Sequence, residues 1–222
     1  VSRIELLPFF RKPGTVLYPV PAVMVSCGTV DDPNIITVAW TGTINTNPPM
    51  TYVSIRPERH SYEKIKSSGE FVINLVTKPL TYACDFCGVK SGREVDKFSH
   101  LHLTARKGEQ INAPIIVESP VNLECRVKEI LPLGSHHMFL AEVVSVSVSE
   151  QYFDANGKFH FNRSQPICYS HGAYYTLGES VGTFGYSVRK KTPIAKQMGR
   201  TTKKRQRNSS RRSHNNKKHK GE

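Results

Sequence analysis

The 222-residue chain is 38% hydrophobic and carries 31 lysines and arginines against 18 acids, a formal net charge of +13. That excess is local: residues 1–188 hold 17 basic and 17 acidic side chains, whereas residues 189–222 hold 14 basic ones and a single acid, Glu222. A charge-neutral body of that size is one ordinary domain with a sizeable core, and it excludes a globular fold whose whole surface is basic.

In chain order, the opening VSRIELLPFF is too short an apolar stretch for a secretory leader. No later run approaches the 18 apolar residues of a membrane span. Five scattered cysteines, Cys27, Cys84, Cys87, Cys125 and Cys168, fit reduced thiols, so the expectation is a cytoplasmic protein without a membrane segment. Residues 20–30 form an apolar run ending at the turn-like Asp31-Asp32-Pro33-Asn34. Residues 35–44 are β-branched and read as one strand, with Ile36, Val38, Trp40 and Ile44 at one parity. Residues 50–56 and 70–76 predict two further strands, and His60–Ser68 between them predicts a short helix closed by Gly69.

Residues 77–88 predict a helix capped by Thr77 and stopped by Gly88, with Cys84 and Cys87 on its core face. A C-x-x-C pair suits a redox dithiol or half a zinc site, but no second pair completes four ligands, which favours two buried thiols. His100-Leu101-His102, read as extended, puts two imidazoles on one face without a third ligand. Residues 121–128 alternate, with Val121, Leu123, Cys125 and Val127 inward and Asn122, Glu124, Arg126 and Lys128 outward. A turn at Pro132-Leu133-Gly134 joins them to the strand 138–149, and His136 lies just before that strand. About six strands with two short helices predict a mainly β fold, an antiparallel sheet closed into a barrel or sandwich.

Most catalytic signatures are missing, including the G-x-G-x-x-G turn and the Walker loop, so a nucleotide would be held in another way. The informative stretch is Asn34 to Ser61. Trp40 offers a flat apolar face for a planar heterocycle, and Thr41–Asn47 offer backbone N–H groups and small hydroxyls to its edge. Arg56, Arg59 and Ser61 supply donors for a phosphate where a strand runs into a helix N-terminus.

Several strings then resemble the flavin reductase-like family, in particular its flavoredoxin-type branch. They are Tyr18-Pro-Val-Pro, Asn34-x5-Trp40, Asn47-Pro-Pro, Ser54-Ile-Arg-Pro-x-Arg-x-Ser-Tyr62 and Ser91-Gly-Arg-x-x-Asp-Lys-Phe98. Gly134-Ser-His136, Pro166-Ile-Cys-Tyr169, Gly172-x-Tyr-Tyr175 and the stretch from Leu177 to Arg189 continue the order over residues 15–191. The resemblance implies a homodimer of six-stranded antiparallel split β-barrels with a few short helices, holding FMN without a covalent link near the dimer interface. It implies flavin contacts at Asn34, Trp40, Ser61, Lys97 and His136, and at Tyr169 beyond a loop that varies. Lys97 or His136 would then be the cation that stabilises reduced FMN. The expected function is electron or hydride transfer, either as an NAD(P)H:flavin reductase or as a carrier fed by an iron–sulfur protein.

The expected organisation is a flavin domain over residues 1–191 and a disordered basic tail over 192–222. The tail holds Lys203-Lys-Arg-Gln-Arg207, Arg211-Arg212 and Lys217-Lys-His-Lys220, which suit sequence-blind attachment to nucleic-acid phosphates. It has no aromatic residue to stack on bases, so it reads mainly as a solvated extension, with RNA or acidic-surface binding the alternative.

Overall fold

The computed structural model describes residues 13–189; the tail, the boundary expected at 191/192 and both readings of the tail lie outside the described residues. The described part falls into two units, residues 13–177 and 178–189.

In the first unit β1 (Val20–Pro21), β2 (Val23–Gly28), β3 (Pro33–Val38), β4 (Thr41–Thr46) and β5 (Pro49–Ile55) lead into α1 (His60–Ser68). Then come β6 (Glu70–Leu75), α2 (Thr81–Val89), α3 (Lys97–His100), β7 (Ala105–Lys107) and β8 (Pro114–Ile116). The long β9 (Val121–Pro132) and β10 (His137–Val148) form the expected hairpin, with His137 opposite Pro132. β11 (Ile167–Ser170) and β12 (Ala173–Thr176) add a small sheet with β1.

The main sheet runs β3-β2-β6-β9-β10-β5-β4, every described pairing being antiparallel. Its two ends are halves of one continuous strand, so the sheet closes on itself as the expected six-stranded split barrel. The single strand expected over 35–44 is therefore broken at Ala39-Trp40. β3 pairs with β2 and β4 pairs with β5, and the Trp40 carbonyl accepts the Ser54 N–H at 2.9 Å where the strand changes partner. The break also ends the parity: Thr41 is buried, whereas Trp40 is 41% exposed.

Alternation along β2 fills two cores. Val23, Val25 and Cys27 point into the barrel with Phe71, Phe139 and Val53. Met24 faces outward under Cys84 and Cys87 of α2. A strand covered on both faces reads as the unbroken apolar run seen in its sequence. The same covering corrects the expectation for β9: Asn122 and Glu124 are buried, because residues 105–116 fold over that face. Glu124 accepts the backbone N–H groups of Glu109 and Gln110 at 2.9 and 2.8 Å.

α1 has the expected bounds and ends at Gly69, whose φ of 68° lets its N–H reach the Ile65 carbonyl. α2 differs from its expectation in two ways. Residues 78–80 are a 3-10 turn, and Thr77 makes no side-chain cap. Gly88 lies inside the helix, where a Cβ would sit 3.3 Å from that of Thr37, so it serves close packing of α2 on β3 rather than a stop. Cys84 and Cys87 are both core residues, as the helical spacing predicts. The segment 100–102 is not extended: His100 ends α3 and stacks on Phe86 at 4.5 Å, and His102 has φ 52°.

The second unit holds a 3-10 turn at Tyr186–Val188, and Val181, Phe184 and Val188 are almost fully exposed. Among the described residues no helix is long and apolar enough to cross a membrane, and no three His, Cys, Asp or Glu side chains gather as a metal set.

Candidate functional site

Two cavities lie along β3 and the segment leading to α1, and they share Ile36 and Arg59. The larger, about 430 Å³, is bounded by Asn34, Arg59, Ser61, Lys97 and the loop 90–94. The smaller, about 150 Å³, is bounded by Ala39, Trp40, Ser54, Arg56 and His136. A third, apolar hollow of about 530 Å³ lies along residues 14–18, Trp40, Thr41 and Tyr52.

The larger cavity is cationic for local reasons. Asp96 caps α3 by accepting the Ser99 N–H at 3.1 Å, which makes Lys97 the first helical residue. Lys97 is only 4% exposed, and its Nζ donates to the Ile35 and Cys87 carbonyls at 2.7 and 2.8 Å. Burial pulls its pKa below the ordinary 10.5. An ammonium has three donors, so two carbonyls and no carboxylate leave one for an anion. α1 starts at the same cavity, and no side chain caps its first turn, which leaves the helix N-terminus to a ligand. Asn34 donates to Ser61 Oγ at 2.6 Å, holding that hydroxyl at the wall.

The loop wall was missed as a set by the sequence reading, although Ser91-Gly-Arg lay within a string already singled out. Arg93 crosses the cavity to donate to the Glu58 carbonyl at 3.1 Å. Gly92 permits the close approach: a Cβ there would fall 2.0 Å from Asn34 Oδ1.

The smaller cavity is aromatic. The Trp40 and His136 rings lie 4.4 Å apart and are tilted by 53°. His136 Nδ1 pairs with Ser135 Oγ at 3.0 Å. Burial first, and then the Arg56 charge, lower its pKa below the usual 6.5, so it is a neutral ring at pH 7. The positive charge at this end comes from Arg56 and Arg59; Arg56 also meets Glu58 at 3.5 Å. Of the two cations weighed from sequence, Lys97 thus borders the cationic cavity and His136 the aromatic one.

Seven of the nine residues singled out by sequence border these two neighbouring cavities. Thr41 lies on the apolar hollow behind Trp40, its hydroxyl donating to the Tyr52 carbonyl at 2.5 Å. Tyr169 lies elsewhere, on β11, edge-on to Tyr18 and Tyr174 at 6.0 and 5.6 Å.

The antiparallel barrel thus carries neighbouring cavities, one cationic and one aromatic, and its family and structural neighbours make it a flavin-binding oxidoreductase. The chain belongs to the flavin reductase-like family: the model of the flavin reductase like domain matches residues 15–178. An uncharacterized protein of Archaeoglobus fulgidus is 30% identical over 74% of this chain and 91% of its own length. Among solved structures, the flavoredoxin of Desulfovibrio vulgaris superposes with a TM-score of 0.74 at 28% identity, over 81% of this chain and 98% of that one. The flavoredoxin of Methanosarcina acetivorans gives 0.73 at 28% identity, over 85% and 100%.

Proposed function

We propose that the chain holds FMN without a covalent bond and passes electrons or hydride through it, as a flavoredoxin-like carrier or an NAD(P)H-dependent reductase. One observation carries this reading: the cationic and aromatic cavities are neighbours with Ile36 and Arg59 in both walls, so one elongated ligand with a phosphate at one end and a flat ring at the other would reach from one to the other. The residues present fit such a group. Lys97, Ser61 and the first turn of α1 would hold the phosphate, and the Trp40–His136 pair would offer its outer face to the ring. Bound FMN supplies the redox chemistry at its ring. Arg56 and Arg59 favour the negative charge that reduction brings, because a fixed cation near a developing anion needs no reorganisation. His136, neutral and oriented by Ser135, offers its free ring nitrogen as a hydrogen-bonding group at the same end.

A homodimer belongs to the same proposal. Val16 and Leu17 are exposed beside Trp40, and in the second unit Val181 and Phe184 are exposed as well, apolar surface of the kind a second copy covers. The electron donor is either NAD(P)H or an iron–sulfur protein.

Trp40 is the chain's single tryptophan, so its emission reports on the groove directly. Adding FMN to flavin-free protein is expected to quench both Trp40 and flavin emission at one-to-one stoichiometry. Anaerobic NADPH or NADH then bleaches the flavin band if the chain is a reductase; reduction only by an iron–sulfur protein marks a carrier. No quenching at any FMN concentration overturns the reading.

A further inference from the structure

His60 is the first residue of α1 and borders the cationic cavity, between Arg59 and Ser61. Its ring lies against the loop that closes the cavity: a Cβ on Gly92 would come within 2.9 Å of His60 Cδ2. Positive charge faces it from three elements, Lys64 on α1, Arg93 in the loop after α2 and Lys97 on α3. The facing acid is Asp32, in the turn between β2 and β3, and Asp32 is itself paired with Lys64. Glu58, Arg59, Lys90 and Glu94 complete the charged rim of the cavity. Burial first, and then Lys64 and Arg93, hold the ring below the ordinary histidine value of 6.5, so at neutral pH it carries no charge.

We propose that His60 is a proton-linked ligand of the anion in this cavity: a phosphate monoester bound there converts the ring to imidazolium, so phosphate-bearing flavin is held more tightly as the medium becomes more acid. The proposal rests on the FMN reading. A phosphate dianion among these cations offsets the field that opposes protonation, and it gives a charged ring N–H an acceptor. The cavity is built for an anion on separate grounds, the buried Lys97 ammonium with carbonyl partners alone and the uncapped start of α1. Linkage then fixes the sign. If the anion raises the affinity of His60 for a proton, a proton on His60 raises the affinity of the cavity for the anion by the same factor. Binding tightens as pH falls from the anion-bound value of the ring to its anion-free value, and it is independent of pH outside that window.

The test compares FMN with riboflavin, which lacks the phosphate, on wild type and His60→Asn between about pH 5 and about pH 8, with Trp40 emission as readout. The ratio of wild-type to variant affinity for FMN is expected to rise as pH falls, by at most about tenfold per pH unit for one proton. Taking this ratio cancels the phosphate's own ionisation near pH 6. Riboflavin should give a flat ratio near one, which also shows that the variant is folded. A His60→Lys variant, charged throughout, should bind FMN more tightly than His60→Asn by a ratio that does not change with pH. A flat FMN ratio, or an equal slope with riboflavin, overturns the proposal while leaving FMN binding intact. Failure of wild type to bind FMN at every pH overturns the cofactor reading and this inference together.

Discussion

The two ends of the groove reach their chemistry by opposite routes. The cationic end has a buried floor assembled from distant segments, Lys97 from α3, Asn34 from β3 and Ser61 from α1, with the exposed Arg93 of a loop across it, held by hydrogen bonds shorter than about 3.2 Å. The aromatic end is more open and rests on a break in a single strand, with Trp40 held by its carbonyl to Ser54 and by the tilted contact with His136. The difference separates two jobs. A buried polar assembly fixes one charge geometry and tolerates little change, whereas a half-open ring slot accepts variation in what lies against it.

The sharpest way to break this comparison is Lys97→Met. Losing a charge-assisted contact costs about 1.5–3 kcal/mol, so FMN affinity should fall by roughly ten- to 150-fold with riboflavin affected far less. The variant should also be less stable by about 1–3 kcal/mol in denaturant titration, because the Ile35 and Cys87 carbonyls lose their donor. Equal losses for the two flavins would show that Lys97 does not serve the phosphate. Trp40→Ala comes next: removing a stacking partner is worth about 0.5–1.5 kcal/mol, a weakening of about two- to tenfold that should be the same for FMN and riboflavin. Flavin emission would follow that titration, since the variant has no tryptophan. The smallest effect is expected from Arg56→Gln. A half-exposed charge is worth about 0.2–1 kcal/mol, so the two-electron potential of bound flavin should drop by about 5–20 mV in spectroelectrochemistry. A rise would place the stabilising charge elsewhere.

What was legible in the sequence follows the same division. The barrel strands, the hairpin at 132–134 and α1 were readable because each has a local period or a stop signal such as Gly69. Cys84 and Cys87 were placed in the core from helical spacing alone. Glu124 and Asn122 were misplaced because what covers them, residues 105–116, carries no alternation of its own, and a buried carboxylate met by two backbone N–H groups looks in sequence like any surface acid. Gly88 looked like a stop because tertiary approach to Thr37 leaves no local signature. At the site, residues within the one stretch from Asn34 to Ser61, such as Trp40, Arg56, Arg59 and Ser61, were found together. The roles of Lys97 and His136 separated only when burial and neighbouring charges were fixed by the fold.

The broken strand has one more consequence, for behaviour in a crowded solution. An open sheet ends in two edge strands whose unpaired N–H and C=O groups invite other chains to add on. Here the two end strands follow one another in the chain and meet at Ala39-Trp40, so their edges come together at one seam rather than at opposite ends of an open sheet. The meeting of the two edges and the exposure of the tryptophan are thus the work of the same two residues.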